Sequence, residues 1–104
     1  MKYPDWVVEE MNRRPVDVGN PFGRIDWHHA ILSKANVRGM PESERLKINV
    51  PWNLLKVEHS VHLSKPIPEG IEAAKLLYRI YGRGAILVWY NWISWKNKPP
   101  FILP

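Results

Sequence analysis

The residues best able to do chemistry are the four histidines, which stand as two pairs between positions 28 and 62 with none elsewhere in the 104-residue chain. The first pair follows an acid, in Asp26-Trp27-His28-His29, and the second is His59-Ser60-Val61-His62. Imidazole is the side chain that changes charge near neutral pH and also ligates metal ions through a neutral nitrogen. On a strand, residues i and i+2 share a face, so Asp26 and His28 point together and His29 points elsewhere unless the strand ends there. On a helical turn, i and i+3 share a side, which puts His59 and His62 together. A strand-end ligand facing a helix-borne ligand clamps one ion, and the second histidine of the adjacent pair stays free as a base. A lone histidine is usually surface or core filler. Two pairs, an upstream acid and an intervening Asn argue for a shared site, with a structural metal site as the bland alternative. Cys is absent, which excludes thiolate zinc and disulfides and leaves a ligand set of His with carboxylate, suited to a catalytic ion.

Elements must bring these groups together. Asp5 caps an expected first helix over about Trp6 to Arg13, with Trp6 and Val7 facing inward, and Pro15 stops it. Gly19-Asn20-Pro21-Phe22-Gly23 is a turn cluster. Arg24 to His28 reads as a short strand with Ile25 and Trp27 on one face. Ser33 to Gly39 reads as a mobile basic loop, and Pro41 to Leu46 as one helical turn. A second short strand or turn is expected over Asn49 to Leu55, then a brief helix over Glu58 to Leu63 ended by Lys65-Pro66. A longer helix follows over Glu69 to Tyr81, with Ala73, Leu76, Leu77 and Ile80 at core spacing, broken by Gly82-Arg83-Gly84. Ala85 to Trp95 fits a helical face better than a strand, and the tail from Lys96 to Pro104 reads as extended. The length suits one domain, with a motif core near 24–65 and a C-terminal helical extension near 69–96.

The segment Ile25-Asp26-Trp27-His28-His29-Ala30, with Pro51-Trp52-Asn53-Leu54-Leu55 and Val57-Glu58-His59-Ser60-Val61-His62, resembles the HNH, or ββα-metal (His-Me finger), endonucleases. The interval of nine residues from Asn53 to His62 matches the family spacing, and the resemblance covers under half of the chain. It implies an α+β fold: a short β-hairpin and a helix as ββα-metal core, flanked by additional N- and C-terminal helices. It implies that His29 is the general base of phosphodiester hydrolysis and that the side-chain oxygen of Asn53 accepts a hydrogen bond from His29. It implies His28 and His62 as ligands of one divalent ion (Mg, Mn, Ni or Zn), with Asp26 a third ligand or an acceptor that orients an imidazole. Products would carry 5′-phosphate and 3′-hydroxyl ends. The chain departs from the pattern in lacking zinc knuckles, in having Pro66 where some members carry a further His, and in His59, which falls where no family ligand is expected. Asn49 is a rival to Asn53, but it lacks the nine-residue interval and precedes Pro51. Small single-domain members of this kind imply a role in phage DNA processing.

A net charge of +5 favours an anionic partner. Lys34, Arg38, Arg45 and Lys47 lie in or beside the inter-strand loop, where they could reach phosphates of double-stranded DNA, and Arg24, with Arg13 and Arg14, could extend that surface. Lys75, Arg79 and Arg83 read as a solvated helix face. Trp6, Trp27 and Trp52 read as core, whereas Trp89, Trp92 and Trp95 wrap their element too broadly for one buried stripe and suggest a homodimer or protein-partner surface. No apolar run reaches the roughly 20 residues of a membrane span, and the N-terminal residues open no signal peptide, so the expected location is cytoplasmic. The alternative function is a non-catalytic nucleic-acid-binding module with a His-bound structural zinc.

Overall fold

In the computed structural model, which describes residues 3–64, 66–94, Lys98 and Pro104, the chain is an α+β protein. Its described elements are α1 (Asp5–Arg13), β1 (Ile25–His29), α2 (Glu42–Arg45), 3₁₀ turns at Leu46–Ile48 and Pro51–Asn53, β2 (Leu54–Glu58), α3 (His59–Ser64), α4 (Ile71–Tyr81) and α5 (Arg83–Trp92). The strands form an antiparallel two-stranded sheet in which Ile25 faces Glu58 and His29 faces Leu54. Among the described residues, no helix is long and apolar enough to cross a membrane.

Several boundaries differ from expectation for identifiable reasons. β1 runs one residue further and includes His29, because the Ala30 amide continues the ladder by donating to the Asn53 carbonyl at 2.9 Å. The second strand begins only at Leu54: Pro51 fixes its own φ and starts a 3₁₀ turn, so Asn49 to Asn53 are not strand. Asp5 lies inside α1, whose N-cap is Pro4 with no side-chain cap bond. The segment 33–40 is a chain of turns, closed by Asn36 N–H to Ser33 O (3.1 Å) and Met40 N–H to Val37 O (3.1 Å). It is anchored because Val37 and Met40 are buried. Trp95, Lys65 and most of the extended tail lie outside the described residues.

The larger core cluster joins Leu55 and Val57 of β2 to Val37, Ile48, Leu77, Ile86 and Trp89. A smaller one packs Val7 and Met11 of α1 on Leu54. The 11-residue α4 buries Ala73, Ala74 and Leu77, while Ile80, expected in the core, is 43% exposed. Gly82, at φ +89°, turns the chain directly from α4 into α5. Trp6 is also not core: it is 48% exposed, and with Trp52, Trp89 and Trp92 it lines an open groove of about 730 Å³.

Arg14 holds three regions together and is not a surface cation. It is 6% exposed, and its guanidinium donates to the Asp17 carboxylate (2.5 Å), to Pro51 O (2.8 Å) and to Leu54 O. The Tyr81 ring of α4 lies 5.6 Å from the guanidinium carbon. The 18–20 segment crosses the end of β2, where Glu58 N–H donates to Val18 O at 2.9 Å and Asn20 N–H to Glu58 Oε1 at 2.7 Å. Gly19 sits there at φ +95°, and a Cβ on it would meet Glu58 Cβ at 2.5 Å.

Candidate metal and hydrolytic centre

β1 and α3 bring one carboxylate and three imidazoles together. β2 runs into α3 without a linker, so the first turn of α3 is set down beside the start of β1, where His59 N–H donates to Arg24 O at 2.8 Å. Asp26 Oδ2 then accepts from His59 Nδ1–H (2.6 Å) and from His62 Nδ1–H (3.1 Å). These two donors, His59 first, hold the Asp26 carboxyl below its ordinary range. His28, two residues along the same face of β1, sets its ring edge-to-face on His62 at 5.1 Å between centroids. The His28 Nε2 is buried with no hydrogen-bond partner. The Glu69 carboxylate stands 3.5 Å from it, an ion-pair distance without hydrogen-bond geometry. Burial pushes His28 below the usual imidazole range, Glu69 partly opposing this. Arg24 Nε lies 3.8 Å from Asp26 Oδ1, so Arg24 touches this cluster from its exposed side.

Asp26 accepts from both imidazoles of α3, the contact that an orienting carboxylate makes. A neutral imidazole that donates through Nδ1 keeps its lone pair on Nε2, and a carboxylate behind a ligating histidine fixes both tautomer and aim. His59, the member outside the family pattern, makes the shorter of the two bonds to Asp26. Among the described residues, no three His, Asp or Glu groups already converge as a ready ligand set. The donor chemistry nevertheless suits a divalent ion: the His28 Nε2, which has no hydrogen-bond partner, and the Nε2 atoms of the part-exposed His59 and His62 are borderline donors on adjacent elements.

His29 faces the other side of β1. It is 9% exposed, and its Nε2–H donates to Asn49 Oδ1 at 2.8 Å. The expected partner, Asn53, is elsewhere: it is fully buried, its Oδ1 accepts from Ile31 N–H (3.0 Å) and Leu32 N–H (2.8 Å), and its amide donates to Leu32 O and Ile48 O (2.9 Å each). Four backbone bonds exhaust that side chain, so it pins 31–32 to the 3₁₀ turn that presents Asn49. The nine-residue interval found an asparagine that builds the frame, whereas the rival at 49 holds the imidazole. Burial lowers the His29 proton affinity first, the Asn49 bond opposes this, and the nearby Lys34 charge adds to the lowering. With Nε2 donating, the lone pair of neutral His29 sits on Nδ1.

Sequence reasoning missed Glu69. Gly70 N–H donates to Ala30 O at 2.8 Å, drawing the chain before α4 onto the end of β1. Glu69 therefore lines a cavity of about 300 Å³ with His29, Ser33, Asn36 and Gly70, while its carboxylate also stands beside His28. It connects the two faces of the strand end, and no local signal in the sequence couples position 69 to position 28.

Of the basic residues expected to meet nucleic acid, Lys34, Arg38 and Arg45 line a second cavity of about 230 Å³. Lys47 is engaged instead, paired with Glu44 (2.6 Å) and placed over the Trp92 ring (3.9 Å). Comparison of the chain with protein-family models, with curated proteins and with solved structures gives no match.

Proposed function

We infer that the protein is a metal-dependent endonuclease that hydrolyses phosphodiester bonds of DNA, with β1, β2 and α3 as a ββα-metal core of the HNH kind. The observation that carries this reading is the division of labour at the end of β1. On one face lie two imidazoles that donate to Asp26 and a third, His28, whose Nε2 makes no hydrogen bond; at the next residue lies a buried imidazole anchored on an amide oxygen. Metal binding and proton abstraction need this combination on neighbouring atoms.

In this reading His28, His59 and His62 hold one divalent ion, and Asp26 fixes the aim of the latter two. The bound ion supplies positive charge against the phosphate and the leaving oxygen. His29, kept neutral by burial, accepts at Nδ1 the proton of the water that attacks phosphorus; the P–O3′ bond breaks, and the departing oxygen takes a proton from solvent. Asn49 holds the Nε2 edge of the ring, which leaves Nδ1 as the nitrogen able to accept a proton. The resemblance to phage-type members supports a phage DNA-processing role in a host cytoplasm, and the Trp-lined groove supports a protein partner or second copy.

Supercoiled plasmid tests the reading. Wild type should relax or linearise it with Mg²⁺, Mn²⁺ or Ni²⁺ and leave it intact in EDTA. His29→Ala should lower cutting by about 10²–10⁴-fold while keeping fold and metal affinity. Failure of wild type to cut with every metal, or unchanged cutting by His29→Ala, overturns the proposal. Unfolding on chelation would assign the ion a structural role.

A further inference from the structure

The turns at 33–38 line two adjacent cavities. Ser33 and Asn36 face the cavity shared with His29, while Lys34, Val37 and Arg38 face the smaller one, completed by Gly39, Arg45 and Ile48. The smaller cavity carries three cations. Among the described residues, none of the three has a carboxylate at ion-pair distance: the acid neighbouring Arg45, Glu44, is taken by Lys47. Moreover, the Nε of Arg45 is buried with no hydrogen-bond partner. An unsatisfied buried guanidinium N–H is costly, and a planar fork beside two further unpaired cations is the geometry that captures a tetrahedral oxyanion.

We propose that Lys34, Arg38 and Arg45 form a binding site for one backbone phosphate of the nucleic acid, adjacent to the phosphodiester presented to His29. The site receives its anion through Arg45 Nε–H, and the exposed Lys34 and Arg38 close over it. Its position beside the cut rests on the nuclease reading; the phosphate site itself does not. Residues 33–38 line both this cavity and the one that holds His29, which sets the site beside the proposed reacting centre. A phosphate held there fixes register along the strand without reading its bases.

The test uses the full chain in EDTA, so that no cutting is needed. Inorganic phosphate is titrated while the Arg45 Nε–H resonance is followed by ¹H–¹⁵N NMR; then a short duplex is bound at several salt concentrations. The resonance should move saturably. Arg45→Met and Lys34→Met should each lower the magnitude of the log K against log salt slope by about one, whereas Arg79→Met on the exposed face of α4 should leave it unchanged. Because Arg45 is half-buried, Lys34→Met and Arg38→Met, both at exposed positions, decide the matter if Arg45→Met fails to fold. An unmoved resonance overturns the site, and so do slopes unchanged in all three variants. A resonance that answers inorganic phosphate while duplex slopes stay unchanged overturns the assignment to nucleic acid. Plasmid cutting with unchanged slopes sinks this site alone; altered slopes without any cutting sink the nuclease reading alone.

Discussion

Two asparagines four residues apart carry opposite burdens. Asn49 gives one oxygen to His29, and Asn53 spends its whole amide on the backbone of 31, 32 and 48. Asn49→Ala should therefore lower cleavage by about 10–100-fold, the usual cost of losing an orienting partner, with a smaller fall in the urea midpoint than Asn53→Ala. Asn53→Ala leaves several buried backbone groups unpaired and should cost about 3 kcal/mol in urea unfolding. Equal losses of stability in the two variants would contradict this division. At this scale the sequence was legible in residue type and only partly in role. That Asp26 shares a face with His28, and His59 a side with His62, follows from strand and helix periodicity; the meeting of the two pairs does not. The choice between Asn49 and Asn53 depends on a 3₁₀ turn that periodicity does not register, and Glu69 reaches the site through a single backbone bond from Gly70 to Ala30.

Among elements, the short strands and α3 are positioned by what crosses them. The 18–20 segment lies over the β2–α3 junction, and Gly19 there has both a positive φ and no room for a Cβ. Gly82 has a similar φ of +89° but nothing within 4 Å of the added Cβ. Gly82→Ala should thus cost only backbone strain, about 1–3 kcal/mol, while Gly19→Ala adds a clash with Glu58 and should be the more destabilising in denaturant melts. Gly19→Ala should also weaken metal binding, since Glu58 immediately precedes His59. Helical elements were readable: α1 and α4 lie close to where apolar spacing puts them, whereas α5 starts at Arg83, inside the expected break, and ends at Trp92. The strand at 54–58 was displaced in the reading by Val50 and Trp52, whose strand-like side chains belong to the 3₁₀ turn that Pro51 starts. The amphipathic pattern of α1 marked Trp6 as inward, yet Val7 and Met11 fill that contact and Trp6 lies on the open groove.

For the whole molecule, Arg14 is the cross-tie between α1, the 51–54 turn and α4. Arg14→Ala removes the partner of Asp17 and of two buried carbonyls and should destabilise by about 3–5 kcal/mol, read as a fall in thermal midpoint without loss of cutting at low temperature. Burial raises the phenols of Tyr3, Tyr78, Tyr81 and Tyr90 above their ordinary value of 10.0. Above that pH the unfolded chain has released phenolic protons that the folded chain keeps, so the unfolded state binds fewer protons and stability must fall as pH rises. Tyrosinate absorbance should therefore appear together with loss of far-ultraviolet ellipticity, above pH 10; separate ionisation of the phenols in a folded chain would refute it. The ladder between β1 and β2 has one more consequence. His28 and His29 are chemically identical, and only the pleat distinguishes them, so in the proposed mechanism ligand and base are assigned by parity. Inserting one residue into β1 ahead of Asp26 would turn acid and both imidazoles to exchanged faces, whereas inserting two would restore them. Tolerated length changes in this strand should come in steps of two.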